Sequence, residues 1–500
     1  MPPLKSPFQL DLQPEVFSSS AQTSAAIHRA VKDGRARRVS RSLFTRNLNE
    51  PLEQVVQRNW AAVAAHHVPG GVLVDRSAIE ARPSADGSLF LDAGPEAKGP
   101  RTYEAPGLSI KARPGPGPLD GDMPHMNGLY FSSRARALLD NMRPSRARSG
   151  VARTLSQAEF EEHLAHISST QGPDALNRLR DEARDIARET EEEGLFERLD
   201  GFISAIQGTR DAELSTPTGI AAARGQAYDP QRVALFETLQ AALLREPLPS
   251  RAQQPGSWVN LAFMEAYFSN RIEGTEFELD EAEEIVFKRA VPAERFEDAH
   301  DILGTFDLAN DPVRRSQLPN DGDEFLALLL AHHGAVLERR PSANPGQFKI
   351  KANRAGQTTF VMPDLAAGTL LEGYRHLQAV PEGLPRAIFF QFLVSEVHPF
   401  TDGNGRLARI MMNAELSAAE EHRIIIPIVY RDDYIQSLRG LSRNANPTPL
   451  LRVLDIAQDY TSRIDWSTLD GAEQTLRDTH AFLEPSEADE LGVRLVLPER

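Results

Sequence analysis

The chain reads HPFTDGNGRLAR from His398 to Arg409, and the prediction of its fold starts from this stretch. The residues before it, 388–394, are apolar except for one glutamine, which is typical of a helix buried in a domain core. The residues after it repeat apolar side chains at i, i+3, i+4 and i+7, the pattern of a second packed helix: Leu407, Ile410, Met411 and Ala414. We therefore expect a short loop held between two core helices.

The middle of this loop has the residues of a phosphate-binding turn. Gly403 and Gly405 flank Asn404 and allow backbone N–H groups to converge at a helix N-terminus, where an anion is favoured. Arg406 and Arg409 lie three residues apart on the helix that follows, so both guanidinium groups can reach phosphate oxygens. The spacing predicts that these five residues bind a nucleotide.

Two further residues of the loop carry chemistry. Asp402 is its only carboxylate, and a carboxylate beside phosphates is the usual protein ligand of Mg²⁺. His398 can accept a proton from a hydroxyl nucleophile at neutral pH. A base, a metal ligand and a cationic phosphate site together predict phosphoryl or nucleotidyl transfer. Taken singly, the same residues are common in plain turns.

The twelve residues together resemble the signature HPFx[DE]GNGRxxR of the Fic (filamentation induced by cAMP) family at every specified position. The resemblance implies a mainly α protein, whose all-helical Fic domain carries a small β-hairpin flap. It also implies a protein adenylyltransferase (AMPylator), a nucleotidyltransferase that moves AMP from Mg-ATP to a Ser, Thr or Tyr hydroxyl of a target protein. His398 would be its catalytic base and Asp402 its metal ligand. Gly405 supports this reaction, since family members that transfer phosphate instead carry lysine there.

A second motif lies upstream, where the sequence SNRIEG runs from Ser269 to Gly274. Ser269 and Glu273 are four residues apart and share one face of a helix that begins near residue 258. The run resembles the inhibitory-helix motif [ST]xxxE[GN] of one Fic subclass, which implies that Glu273 pairs with Arg409 and keeps it from the γ-phosphate. From the residues alone, Glu273 could also be a surface carboxylate, or could orient a water for the reverse, de-AMPylating reaction.

Residues 348–363 read as two short strands about a turn at 353–357. At this position the Fic resemblance implies the flap, which holds a target segment by β-augmentation near His398. The docking residues are then Thr359, Phe360, Val361 and Met362.

Composition sets limits on the rest. The chain has 500 residues, which predict two to four domains, and 41% hydrophobic and 25% charged residues, as in a globular protein. It has no cysteine, so disulfides, thiolate metal sites and catalytic thiols are excluded. No signal-peptide pattern or long apolar run is present, and we expect a cytoplasmic protein without a membrane span. The net charge of −16 argues against non-specific nucleic-acid binding by the whole chain.

The first 50 residues differ in charge, with 8 Lys and Arg against 4 Asp and Glu. Residues 20–33 predict a helix and residues 35–45 a basic hairpin, an order that resembles the second half of a winged helix. This interpretation puts Thr23, Ser24, His28 and Arg29 in a DNA groove, and Arg35, Arg37, Arg38 and Arg41 on phosphates. A basic hairpin that is merely solvated explains the pattern equally well.

The first 145 residues as a whole loosely resemble the regulator (antitoxin) proteins of type IV abortive-infection systems. The segments that carry this resemblance are 72–78, 106–110, 115–118 and 128–137. It implies a winged helix and a small α/β domain that bind DNA or a partner. We thus expect a winged-helix-like segment at 1–48, an antitoxin-like α/β domain at 49–150, a helical connector at 151–248, the Fic domain at 249–465 with its inhibitory helix at 258–274, and a C-terminal tail at 466–500.

Two alternatives to the adenylyltransferase stay open at this point. One is a de-AMPylating hydrolase that uses Glu273, and the other is a DNA-binding transcriptional regulator or antitoxin whose Fic domain senses nucleotide. The expected partners are ATP, a target protein, the chain itself through self-modification, duplex DNA through residues 15–48, and a second copy in a homodimer. No membrane partner is expected.

Overall fold

The computed structural model describes residues 8–125, 127–146, 150–209, 214–253, 256, 258–355 and 358–499. The chain divides into two compact units, residues 1–225 and 226–500. Helix is the main secondary structure, as the sequence predicts. The boundary between the units falls inside the segment 151–248 that was expected to be a connector. In the described ranges, no helix combines the length and the apolar character that a membrane crossing requires.

The first unit contains all the larger β-structure of the described chain. Its strands are β1 (Val16–Ser18), β2 (Arg37–Ser40), β3 (Leu43–Thr45), β4 (Val72–Leu73), β5 (Ser88–Asp92), β6 (Arg101–Ala105), β7 (Leu108–Arg113), β8 (Met123–Pro124) and β9 (Tyr130–Phe131). Its helices are α1 (Ser24–Lys32), α2 (Leu52–Arg58), α3 (Trp60–His67), α4 (Asp75–Glu80), α5 (Arg134–Asp140), α6 (Gln157–Gln171), α7 (Pro173–Glu189), α8 (Glu193–Ile206) and α9 (Pro217–Ala223).

The predicted basic hairpin is present as β2 and β3, but a third strand, β1, pairs with β3 to give an antiparallel sheet in the order β1-β3-β2. A second, mixed sheet has the order β6-β7-β5-β4-β9-β8. Val16 and Leu43 of the first sheet pack in the same hydrophobic core as Val55 of α2 and Leu89 of the second sheet. The two sheets therefore share this core, and residues Phe17 and Phe44 of the first sheet pack in a second core with α1.

Helices α6–α9 and α5 form another core of the first unit, around Phe160, Leu164 and Ile203. Helix α6 begins as the sequence predicts. The Ser156 side chain accepts a hydrogen bond from the Glu159 N–H, and the Glu159 side chain accepts one from the Ser156 N–H.

The second unit carries the two predicted motifs. Its helices are α10 (Pro230–Arg245), α11 (Trp258–Ile272), α12 (Leu279–Lys288), α13 (Phe296–Asn310), α14 (Gly322–Val336), α15 (Pro363–Gln378), α16 (Leu384–Val397), α17 (Asn404–Ala418), α18 (Arg431–Asn444), α19 (Thr448–Ser462), α20 (Leu469–Asp478) and α21 (Pro485–Leu491). A short antiparallel hairpin, β10 (Arg354–Ala355) and β11 (Thr358–Thr359), lies between α14 and α15.

Helix α16 is the centre of the second unit. It is apolar nearly all round, and its side chains are almost all buried in one core with α10, α14, α15, α17, α18 and α19. A second core joins α11, α12 and α13 to α20. Helix α17 contacts both α16 and α11, so it connects the two predicted motifs.

Candidate active site

The loop between α16 and α17 has a fixed backbone. His398 ends α16 with a left-handed φ of 52°, and Gly403 precedes α17 with φ 75°. Asn404 is buried, and its amide closes the loop, since its Oδ1 accepts from the Phe400 N–H at 2.9 Å and its Nδ2 donates to the Phe400 carbonyl at 2.9 Å. Asn404 can therefore meet an anion only through its backbone N–H. The first N–H groups of α17 have no carbonyl within the helix to bond.

His398 is held as a proton acceptor. Its Nδ1 lies 3.3 Å from the Ser395 carbonyl, a distance at which Nδ1–H donates and Nε2 keeps its lone pair. The ring of Phe360 covers one face of the imidazole, with the two centroids 3.8 Å apart and the planes 8° from parallel. Burial lowers the pKa of His398 to about 4, and a hydrogen bond to the Ser395 carbonyl opposes this only in part. The imidazole is neutral at physiological pH.

The back of the loop is braced by residues that the sequence did not single out. Lys349 is buried, and its Nζ donates to the His398 carbonyl at 2.7 Å and to Asn353 Oδ1 at 2.7 Å. Asn353 in turn donates to the Phe400 carbonyl at 2.9 Å. Burial lowers the pKa of Lys349 to about 8.

His333 supports the loop from another side. Its ring stacks on Phe400 with the centroids 3.8 Å apart, and its Nε2–H donates to the Asp402 carbonyl at 3.1 Å.

Arg409 is occupied by the upstream motif. Its Nη2 lies 2.7 Å from Glu273 Oε1 and 2.9 Å from the Ser269 carbonyl, and its Nε donates to Ser269 Oγ at 2.9 Å. Ser269 lies on the last turn of α11, and Glu273 follows directly after the helix. The side chain of Arg409 is only 5% exposed and that of Glu273 30%. The guanidinium group is therefore held against the last turn of α11 and the residue that follows it.

The electrostatics support a charged pair. Burial alone would raise the pKa of Glu273, but the adjacent Arg409 guanidinium outweighs it and keeps the pKa below its usual range. Gly405 makes the contact possible, because a Cβ at this position would overlap Glu273 Oε1. Gly274, the residue after Glu273, has a φ of 93°, a backbone conformation that favours glycine, and it ends the upstream motif.

Arg406 faces a different partner from the one expected. Its Nη1 pairs with Asp301 Oδ2 at 2.8 Å and donates to Asn270 Oδ1 at 3.1 Å, and its side chain is 4% exposed. Asp301 lies on α13 and also accepts from Arg340 at 3.0 Å. Tertiary contacts thus hold both arginines in this structure, and their binding of phosphate stays a prediction.

Asp402 is half exposed, at 50% of its side chain. Its Oδ1 accepts from the Gly403 N–H at 2.7 Å, and its Oδ2 lies 3.6 Å from Arg406 Nη2. Within the described ranges, no three His, Asp or Glu side chains group closely enough to hold a metal ion. The donor set fits a Mg²⁺ ion that takes one carboxylate from the protein and its other ligands from phosphates and water.

The four predicted docking residues of the flap differ in exposure and in their contacts. Thr359 is on β11 and exposed, and Phe360 covers His398. Val361 is buried in the core, so its side chain is not available to a docked segment, and Met362 is the N-cap of α15. Part of the predicted turn, residues 356 and 357, lies outside the described residues.

A cavity of about 250 Å³ connects the two motifs. Tyr434 of α18, which the sequence did not indicate, contributes to its wall, and the Tyr434 hydroxyl accepts from Gln391 Nε2 at 2.5 Å. The lining residues are Glu273, Thr358, Phe360, Phe392, Ser395, Glu396, His398, Gly405, Arg409, Tyr434, Ile435, Leu438, Arg439 and Ser442.

Comparison with known proteins agrees with the motifs. Residues 325–416 match the Fic/DOC family. The protein adenylyltransferase fic-1 of Caenorhabditis elegans is 26% identical over 182 residues, which are 35% of this chain and 36% of that protein. The protein adenylyltransferase Fic of Drosophila willistoni is 27% identical over 262 residues, 50% of each chain. The chain thus spans about a third to a half of the length of these relatives.

One solved structure that the chain matches is a Fic domain containing signaling protein from Bacteroides thetaiotaomicron. It is 14% identical, with a TM-score of 0.36, and the match covers 49% of this chain and 97% of that chain. Fic-1 from C. elegans is 16% identical, with a TM-score of 0.33, and the match covers 60% of this chain and 88% of that chain.

Proposed function

Since residues 325–416 form a domain of the Fic/DOC family, we propose that the chain transfers AMP from ATP to a hydroxyl of a target protein. The observation that carries this proposal is that His398, with Nε2 free to accept a proton, lines the same cavity as Gly405 and Arg409. The names of the relatives, which are protein adenylyltransferases, support the same reaction.

In the proposed reaction, a Ser, Thr or Tyr hydroxyl of the target gives its proton to His398 Nε2 and attacks the α-phosphorus of ATP. The bond between the α-phosphorus and the bridging oxygen breaks, and pyrophosphate leaves. The N–H groups at the start of α17 suit the phosphates because they carry partial positive charge. Arg409 would bind the γ-phosphate only after its release from Glu273. Gly405 leaves room for the nucleotide where a longer side chain would intrude.

Asp402 is the residue that would hold Mg²⁺, because its side chain is half exposed beside the start of α17. A bound Mg²⁺ would neutralise charge on the phosphates and favour departure of pyrophosphate.

We propose that the chain in this conformation is inhibited. Arg409 makes three bonds to Ser269 and Glu273, and a nucleotide whose γ-phosphate lacks this cation has no fixed orientation for attack at its α-phosphorus. The partial exposure of Glu273 at the cavity also suits the alternative role, in which its carboxylate activates a water that removes AMP from a modified target.

Incubation with α-labelled ATP tests the proposal. We expect label on the chain itself or on a target protein with Glu273→Gly, and none when His398→Ala is added. Nucleotide binding should persist in His398→Ala, because the imidazole meets the hydroxyl and not the phosphates. If instead Glu273→Gly loses the ability to release AMP from a labelled target and labels nothing, the hydrolase is the correct reaction.

A second function, binding of duplex DNA by residues 15–48, is favoured by one observation. Arg29, Arg35, Arg38 and Arg41 are exposed on α1 and the following hairpin. Arg37 does not join them, because its guanidinium donates to the Asn47 carbonyl at 2.8 Å and to the Glu50 carbonyl at 2.5 Å. A gel shift of the full chain that weakens with salt and with Arg38→Glu plus Arg41→Glu would support this function. No shift at low salt would remove DNA binding and leave this region as a protein-interaction module.

A further inference from the structure

The flap lies in a basic stretch of an acidic unit. Residues 226–500 contain 27 Lys and Arg against 42 Asp and Glu, a formal charge of −15. Residues 339–363, which include the hairpin, contain five Lys or Arg and no acidic residue. The local excess of positive charge is therefore opposite to that of the unit. Such a contrast is typical of a surface that meets an oppositely charged partner.

Four cations surround the hairpin, and we call them the basic rim: Lys351, Arg354, Arg439 and Arg443. Lys351 and Arg354 are exposed, and Arg439 lines the cavity that contains His398. Arg443 Nη2 donates to Thr358 Oγ1 at 2.9 Å. In the part of the chain that the structure describes, none of the four makes an ion pair with an acidic side chain. Their charge is thus available to a partner.

In the described residues, the outer edge of β11 pairs with no further strand. The Phe360 N–H donates to the Asn353 carbonyl at 3.2 Å, and the register pairs Arg354 with Thr359. In an antiparallel pair, bonded and non-bonded positions alternate, so the N–H and carbonyl of Thr359 point away from β10. These are the groups that an added strand would use.

Arg232 already uses this edge. Its Nη2 donates to the Thr359 carbonyl at 2.7 Å, while its Nη1 pairs with Glu396, which also accepts from Ser442 Oγ at 3.0 Å. An incoming strand would therefore replace a guanidinium at the Thr359 carbonyl. Thr358 and Phe360, on either side of Thr359, line the cavity of His398, so a strand paired here has its hydroxyl within reach of the base.

We propose that the flap binds an extended, acidic segment of the target protein, with the hydroxyl that is modified flanked by Asp or Glu. This inference rests on the proposed adenylyl transfer and adds to it the chemical class of the target. Backbone pairing at Thr359 supplies the alignment, and the basic rim selects against neutral and basic segments. The remainder of the unit is acidic and would repel an acidic segment, so the basic rim is the part of this unit that suits it.

Binding of two defined peptides tests the proposal. One fluorescent peptide alternates glutamate with valine around a threonine and a tyrosine, and the other has lysine for each glutamate. Fluorescence anisotropy measures their Kd for the full chain with Glu273→Gly. We expect the glutamate peptide to bind at least tenfold more tightly. Lys351→Glu plus Arg354→Glu should abolish or reverse this preference. The control variant Arg82→Glu plus Arg178→Glu changes two exposed arginines that make no ion pair in the described residues, and it should leave the preference.

A further variant separates backbone pairing from charge. Thr359→Pro removes the outward N–H but no charge, and we expect it to weaken binding of the glutamate peptide as well. Equal affinity for the two peptides, no binding of either, or a preference that survives the Lys351 and Arg354 changes overturns the proposal. Labelling by the Glu273→Gly chain with its flap intact is measured in the same preparation. If this variant labels no protein, the proposed AMP transfer is wrong. If it labels protein but shows no preference between the peptides, only the proposed acidic target is wrong.

Discussion

Release of Arg409 by Glu273→Gly is the prediction that depends most directly on the structure. The carboxylate of Glu273 is 2.7 Å from Arg409 Nη2, and the arginine side chain is buried. A hydrogen bond between charged groups is worth about 1.5–3 kcal/mol, and ~1.4 kcal/mol changes a rate tenfold. If that free energy passes to the contact of Arg409 with the γ-phosphate, labelling rises roughly 10- to 150-fold. The 30% exposure of Glu273 favours the lower part of this range, because water screens the pair.

The assay is incorporation of α-labelled AMP into protein at saturating ATP. Glu276→Gly, which removes an exposed carboxylate three residues further on, is the matched control and should leave the rate unchanged. Glu273→Gln keeps the size of the side chain and should give an intermediate gain, since a neutral amide binds guanidinium less tightly. Arg409→Ala should be inactive with or without Glu273→Gly. A rate that stays flat or falls in Glu273→Gly, or a gain that persists in Arg409→Ala, would refute the inhibitory pairing.

Five other predictions follow from the site. Asp301→Ala leaves Arg406 buried without its carboxylate and should reduce the free energy of unfolding by about 3–5 kcal/mol, seen as a lower Tm; an unchanged Tm would contradict a structural role for the pair. Because the pKa of His398 is about 4, the labelling rate should stay constant as pH falls from 7 to about 5 and decline only below that; a decline centred near the ordinary value of ~6.5 would show an exposed base. The same lowered pKa means that the unfolded chain binds the proton first, so stability is lost as pH falls from about 6.5 towards 4. Lys349→Met should lower kcat with little change in the KM for ATP, because Nζ holds the His398 carbonyl and does not face the nucleotide site; equal losses in both would indicate general misfolding. Asp402→Ala should remove the Mg²⁺ dependence of ATP binding, which titration calorimetry with and without EDTA measures, and ATP affinity of the wild type that EDTA does not alter would count against a metal at Asp402.

The sequence by itself predicts where the candidate site lies and which chemistry its residues suit. The residues from His398 to Arg409 include two glycines that permit a tight turn, a histidine that can act as a base, and two arginines. These features depend only on residue type and spacing, so they are visible without coordinates. The same holds for the helices on either side of the loop, because their apolar pattern is a property of consecutive residues. The pattern predicts the flap hairpin. It does not show that Thr359 is exposed whereas Val361 is buried and Met362 caps α15.

Only the tertiary structure decided how the charged groups are partnered. Arg406 and Arg409 look equivalent in sequence, yet Asp301 of α13 holds the first and Glu273 after α11 holds the second. Asp301 and Glu273 lie more than a hundred residues from the arginines, so no local pattern indicates either contact. The same is true of Lys349 behind His398. A lysine is usually a surface residue, and Lys349 becomes a buried support of the loop only because the fold brings its ammonium group against the His398 carbonyl.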